Sequence, residues 1–206
     1  EGLFGTLNKV VTTKKLIDEK TLSDFNIKAL VLTYPETECK LVKGMSYQDE
    51  MDYIVTHEKR NKFIKDLTLN LKGNTLVLFQ YVEKHGNVLH KMISEATDRK
   101  VFYVYGGTDT NTREDIRAIT EKEKSAIIVA SYGTFSTGIN IKNLHNIVFA
   151  SPSKSRIRNL QSIGRGLRLG DNKVNATLYD IADNLTYKSK ENFTLKHFQE
   201  RINIYT

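Results

Sequence analysis

From Thr75 onward, short unbroken apolar runs take turns with stretches in which apolar residues return every three or four positions. Leu76-Val77-Leu78-Phe79, Val101-Phe102-Tyr103-Val104, Ala126 to Ala130, Asn146 to Ala150 and Val174 to Ile181 have the length and composition of strands. Between them lie helical patterns. Val88, Leu89, Met92 and Ile93 predict one inward face, Thr110 is placed to cap a helix running to about Lys122, and Arg156 to Leu167 and Asn192 to Ile204 predict two more. Upstream, Phe25 to Tyr34 predicts a strand stopped by Pro35, and residues 36–45 read as a polar connection. Ser46, with Asp49 three residues on, predicts the N-cap of a long helical region through about Leu71, in which Phe63, Ile64, Leu67 and Leu71 recur at helical spacing. The opening stretch to about Thr21 has mixed character.

Strands that are apolar throughout are buried on both faces, and their alternation with amphipathic helices predicts an α/β fold. The expectation is a three-layer parallel sheet with helices on both faces and right-handed crossovers. Ligands of such sheets bind beyond the carboxyl ends of the strands. That rule selects Gln80 to His85, Gly106 to Asn111, Ser131 to Asn140 and Ser151 to Ser155, all polar or glycine-rich.

Composition narrows the classes. A chain of 206 residues can bury one substantial core. Its longest apolar runs are strand-length, whereas a membrane span needs about 20 apolar residues, so no membrane partner is expected. One cysteine, Cys39, excludes an intramolecular disulfide, and the histidines at 57, 85, 90, 145 and 197 lack ligand spacing, so no metal site is expected within the chain. A reducing, cytoplasmic compartment fits, the host cytoplasm if the protein is viral. The first residues, Glu1-Gly2-Leu3-Phe4-Gly5, predict a boundary inside a longer protein.

The formal charge of +7 points to a polyanionic partner. Its distribution says more: Lys154, Arg156, Arg158, Arg165, Arg168 and Lys173 face only Asp171 between Ser151 and Lys173. Within that run, Gln161-Ser162-Ile163-Gly164-Arg165-Gly166-Leu167-Arg168 is the most specific string. Gln161, Arg165 and Arg168 fall at i, i+4 and i+7, one face of a helix. Two guanidiniums and an amide suit phosphate oxygens better than a core, because planar forks bind them bidentately. Gly164 and Gly166 each cost about 1 kcal/mol in a helix relative to alanine, which implies a close approach to the backbone. Arg156 and Arg158 read as incidental residues of a solvated face.

This Q-x-x-G-R-x-x-R pattern resembles motif VI of superfamily-two helicases, whose fold is RecA-like. Ile127 to Ser131 with Phe135 to Asn140 is similar to motif V, Leu76 to Phe79 to motif IV, and Tyr105-Gly106-Gly107 with Arg113 to the motif between them. The overall wording, including Tyr132 to Thr137 and Ser153-Lys154-Ser155, is most similar to the phage UvsW-type recombination and branch-migration helicases. The resemblance implies a second RecA-like motor lobe, with residues 46–206 as the helicase C-terminal domain and residues 1–45 as a connecting or accessory segment after a first lobe. It implies that Arg165 and Arg168 act as arginine fingers on ATP, with Gln161, Gly138 and Asn140 near the nucleotide. Many members carry Asp where this chain has Asn140. Ser131, Thr134, Gly107 and Thr108 are the implied contacts to nucleic acid: DNA, with RNA or a DNA-RNA hybrid left open. No G-x-x-x-x-G-K-[ST] loop and no Asp-Glu-x-His or Asp-Glu-x-Asp string occurs. ATP with Mg2+ is therefore expected mainly on the N-terminal RecA-like lobe of the same polypeptide, and this lobe alone is expected to be inactive. Two other readings stay open: a double-strand translocase or remodeller lobe that does not separate strands, and a stand-alone α/β nucleic-acid-binding domain.

Overall fold

The computed structural model describes residues 8–15, 24–136, 141–168 and 176–205. Its strands are β1 (Asn8–Lys15), β2 (Asp24–Thr33), β3 (Thr75–Phe79), β4 (Val101–Val104), β5 (Ile127–Ser131), β6 (Asn146–Phe149) and β7 (Thr177–Asn184). They form one sheet in the order β1-β2-β7-β6-β3-β5-β4. Strands β2 to β7 run parallel, and β1 pairs antiparallel with β2 at the edge. The predicted three-layer α/β class is the one found.

Alternate residues of each central strand point to opposite faces, which is why these strands read as unbroken apolar runs. Leu76, Leu78, Ile128, Ala130, Ile147 and Phe149 join one core. Val77, Phe79, Ile127, Val129, Val148 and Ala150 join the other. The first core is covered by α5 (Thr110–Lys122), α6 (Tyr132–Ser136) and α7 (Arg156–Arg168), through residues such as Ile116, Tyr132, Leu160 and Ile163. On the same face α8 (Phe193–Tyr205) packs Leu195 and Phe198 against Ala29 and Ala182. The second core is covered by α1 (Glu36–Val42), α2 (Tyr47–Val55), α3 (Glu58–Asn70) and α4 (Asn87–Ser94), through Cys39, Val42, Ile54, Ile64, Leu89 and Ile93.

Several local readings change. Residues 36–45 are not merely a connection: α1 begins after Pro35, whose fixed φ suits a helix entry, and Glu36 and Glu38 lie in its first turn, where the helix dipole favours acids. The helical region from Ser46 is two helices. Ser46 caps α2 by accepting from the Asp49 amide at 3.2 Å, but the chain breaks at Thr56, and the His57 ring caps α3 by accepting from the Arg60 amide at 3.3 Å. Asp109, not Thr110, caps α5 through the Thr112 amide at 2.9 Å. Val88 is 39% exposed rather than inward. It follows a π-helical turn (Val82–Gly86), and the inward face of the helix behind that turn is carried by Leu89 and Ile93, with Met92 half-buried. The opening stretch of mixed character contains β1. Strand β2 hydrogen-bonds to β7 from Asn26↔Thr177 to Thr33↔Asn184, so residues 24–45 build the same sheet and core as the rest.

Candidate functional site

The register lines up the carboxyl ends of the parallel strands. Val104 lies beside Ala130, Phe79 beside Ser131, Leu78 beside Phe149, and Phe149 beside Asp180. Four polar segments emerge there: the turn after β4, the β5–α6 junction, the π-turn after β3 and the loop from β6 to α7.

The turn after β4 is closed by the Thr108 amide donating to the Tyr105 carbonyl at 2.9 Å, while the Thr108 hydroxyl accepts from the Tyr105 amide at 3.1 Å. Arg113 donates to the carbonyls of Tyr105 and Gly106, both at 3.2 Å, and so holds the turn from below. Gly106 and Gly107 are exposed. A Cβ on Gly107 would lie 2.8 Å from the Tyr105 ring, so a larger residue there would have to push that ring aside. One strand over, the hydroxyls of Ser131 and Thr134 hydrogen-bond to each other at 2.6 Å, and both residues are buried.

Beneath the edge lies His85, fully buried. Asn61 donates its amide to the Val55 carbonyl, so its Oδ1 accepts from His85 Nε2 at 2.8 Å. That makes Nε2 the protonated nitrogen. Nδ1 is then the acceptor for the Ser151 hydroxyl at 2.5 Å, and that hydroxyl accepts in turn from the Gln80 amide at 3.0 Å. The chain after β3 is thereby tied to the loop that leads into α7. Burial, with Arg60 nearby, holds the His85 pKa well below the usual imidazole range. A second buried group stands beside it. Arg60 of α3 forks onto Asp183 at 2.8 and 3.1 Å, and donates to the Ala150 carbonyl at 2.6 Å.

Helix α7 starts at Arg156, which is completely buried. Its guanidinium donates to Asp180, to the Ile181 carbonyl at 2.8 Å, to Phe149 at 3.3 Å and to Ser151 at 3.1 and 2.6 Å. Asp180 also accepts a two-pronged contact from Arg201 of α8, 2.9 Å on each oxygen. The reading of Arg156 as an incidental surface residue is therefore corrected. A guanidinium in the core persists only where carboxylate and carbonyl oxygens replace its water, and the end of β6 and the middle of β7 supply them. Arg158 is exposed, as expected. Gln161 lies on α7 half-buried, and Leu160 and Ile163 turn into the core. Arg165 and Arg168 belong to the closing turns of the same helix, with side chains outside the described residues. Gly138 and Asn140 also lie outside the described residues.

The family model of the helicase conserved C-terminal domain matches residues 58–170, more than half of the chain. This chain belongs to that helicase family. It is 40% identical over 217 aligned residues to the ATP-dependent DNA helicase uvsW of Enterobacteria phage T4, an alignment covering 99% of this chain and 43% of that protein. It is 29% identical over 126 residues to the putative ATP-dependent helicase IRC3 of Saccharomyces cerevisiae, covering 61% of this chain and 16% of the yeast protein. The helicase domain thus spans less than half the length of either relative. In structure it resembles the crystal structure of T4 UvsW with a TM-score of 0.79 at 40% identity, over 90% of this chain and 40% of that one. The C-terminal part of the Fun30 ATPase domain shares the fold at a TM-score of 0.52 and 16% identity, covering 73% of this chain and 55% of that one.

Within the helicase domain, Gly107 and Thr108 follow β4, and Ser131 and Thr134 stand at the end of the neighbouring β5. Gln161 stands on α7, which packs against α6. Among the described residues no group of three His, Cys, Asp or Glu side chains converges as a metal cage, and Asp180 and Asp183 are committed to arginines. The residues that sequence reasoning missed are those that hold the edge in place: Arg60, His85, Arg156, Asp180, Asp183 and Arg201. One signal was available. Asp180 and Asp183 interrupt an apolar strand, and a buried acid there requires a cationic partner.

Proposed function

We propose that this chain is the second motor lobe of an ATP-dependent DNA helicase, serving strand unwinding or branch migration in recombination, repair or replication. ATP with Mg2+, held mainly by a first RecA-like lobe of the same polypeptide, supplies the phosphoanhydride that is cleaved. Arg165 and Arg168 donate their guanidinium hydrogens to its phosphate oxygens across the cleft between lobes, with Gln161, Gly138 and Asn140 beside them. Charge that spreads over those oxygens during transfer is what a fixed guanidinium stabilises. Nucleic acid crosses the carboxyl ends of β4 and β5, where the exposed Gly106-Gly107 backbone and Thr108 offer polar groups to phosphates without reading bases. Ser131 and Thr134, buried and hydrogen-bonded to each other, add two hydroxyl groups to the same edge.

The observation that carries the reading is the 40% identity to a DNA helicase along 99% of this chain, with Q-x-x-G-R-x-x-R on the helix that leaves β6. The test is DNA-stimulated ATPase of the full-length protein. With Arg165→Ala or Arg168→Ala, turnover falls by about 10³-fold or more, while DNA affinity without nucleotide changes little. Turnover at the unsubstituted rate in both variants overturns the assignment. Loss of DNA binding alone, with ATPase intact, returns the domain to a plain binding module.

A further inference from the structure

We infer that α8 is a working part of the motor: through Arg201 and Asp180 it fixes the position of α7, and so the presentation of Arg165 and Arg168. This rests on the reading that those two arginines serve the nucleotide. Arg156 opens α7 at the end where the helix dipole disfavours a cation. Its guanidinium instead turns into the sheet and bridges the end of β6 to the middle of β7, bonding Asp180 and the Phe149, Ser151 and Ile181 carbonyls. One carboxylate serves two guanidiniums here. Arg156 and Asp180 have no exposed surface, and Arg201 is 7% exposed. The Arg201 fork meets both oxygens of Asp180, so it sets the plane of that carboxylate and not only its distance.

Leverage makes the anchor matter. Residue 168 lies about 18 Å along the helix from residue 156, so a tilt of about 5° at the anchor displaces it by about 1.6 Å. Misplacement on the order of 1 Å at a reacting centre costs roughly 10²-fold in rate. Arg201 is thus a positioning residue, acting through Asp180 and Arg156.

Arg201→Met leaves Asp180 paired one-to-one with Arg156, so no buried charge is stranded, and Arg201→Lys keeps the charge but loses the fork. Both are made in the full-length protein and compared with Arg165→Ala and with the Arg201→Met/Arg165→Ala double variant. The expected results are a kcat lowered roughly 10- to 100-fold in Arg201→Met, a smaller loss in Arg201→Lys, and an unchanged KM for ATP. Without nucleotide, amide hydrogen exchange in α7 quickens at least about tenfold while β3 and β5 keep their protection. The double variant is no slower than Arg165→Ala alone, because one residue acts through the other. Unchanged α7 exchange, or losses that multiply in the double variant, overturns the inference. Full turnover in Arg165→Ala instead overturns the nucleotide reading, and the exchange result still decides whether Arg201 holds α7.

Discussion

Replacing Arg60 with methionine tests what holds the carboxyl edge of the sheet together. The side chains of Arg60 and Asp183 are 0% and 1% exposed, and the guanidinium contributes two hydrogen bonds to the carboxylate and a third, at 2.6 Å, to the Ala150 carbonyl. Methionine fills much of the same volume but supplies no donor. Asp183 then keeps the Tyr34 hydroxyl as a side-chain donor, and its charge stays in the core without a counter-ion. Breaking a buried pair from one side costs about 3–5 kcal/mol, a large share of the roughly 5–15 kcal/mol that keeps a domain folded. For a domain of this size each kcal/mol shifts the melting temperature by about 2–4 °C, so Arg60→Met should melt about 6–20 °C lower. Urea titration and thermal melts followed by far-UV circular dichroism measure the loss. The companion is Arg60→Met with Asp183→Leu, which removes both charges and should regain most of the stability, since an apolar pair of similar volume is often neutral. A single variant that loses under about 1 kcal/mol, or a double variant no better than the single, would refute the view that the stranded carboxylate dominates the cost.

Two further outcomes follow from the same edge. The folded pKa of His85 is depressed by burial, so the unfolded chain binds the proton first. Its contribution to stability is complete above about pH 6.5 and declines as the pH falls from there toward the folded value. His85→Gln should be less stable at neutral pH, yet lose stability less steeply between pH 6.5 and 5, by up to about 1.4 kcal/mol per pH unit; denaturation midpoints across that range check it, and an unaltered slope would dismiss the linkage. Gly86→Ala places a Cβ 2.4 Å from a carbon of the buried Phe79 ring, so the ring or the π-turn must shift. An overpacking loss of about 1–3 kcal/mol is expected in thermal melts, with Phe79→Leu in the same chain relieving part of it.

What the amino-acid order determined by itself is local. Strands such as β3 and β5 were legible because burial on both faces demands an unbroken apolar run, and α2 announced its start through Ser46, whose hydroxyl needs only the next turn of chain as partner. The Q-x-x-G-R-x-x-R string was legible because helical spacing alone puts Gln161, Arg165 and Arg168 on one face. Short elements slipped past: α1 has seven residues and two buried side chains, too little periodicity to separate from a loop, and α4 buries a narrower stripe, Leu89 and Ile93, than its four apolar residues suggested. Only the tertiary structure decided strand order, and with it the partners of the buried charges. Arg60 and Asp183 are 123 positions apart, and Arg156 could as well have been a solvated arginine until β7 brought Asp180 beside the end of β6. Side-chain chemistry states that a buried cation needs an anion. Which anion it meets depends on the crossovers of the chain, because pairing energy falls away within a few ångströms and nothing in the local sequence encodes contact over such a separation.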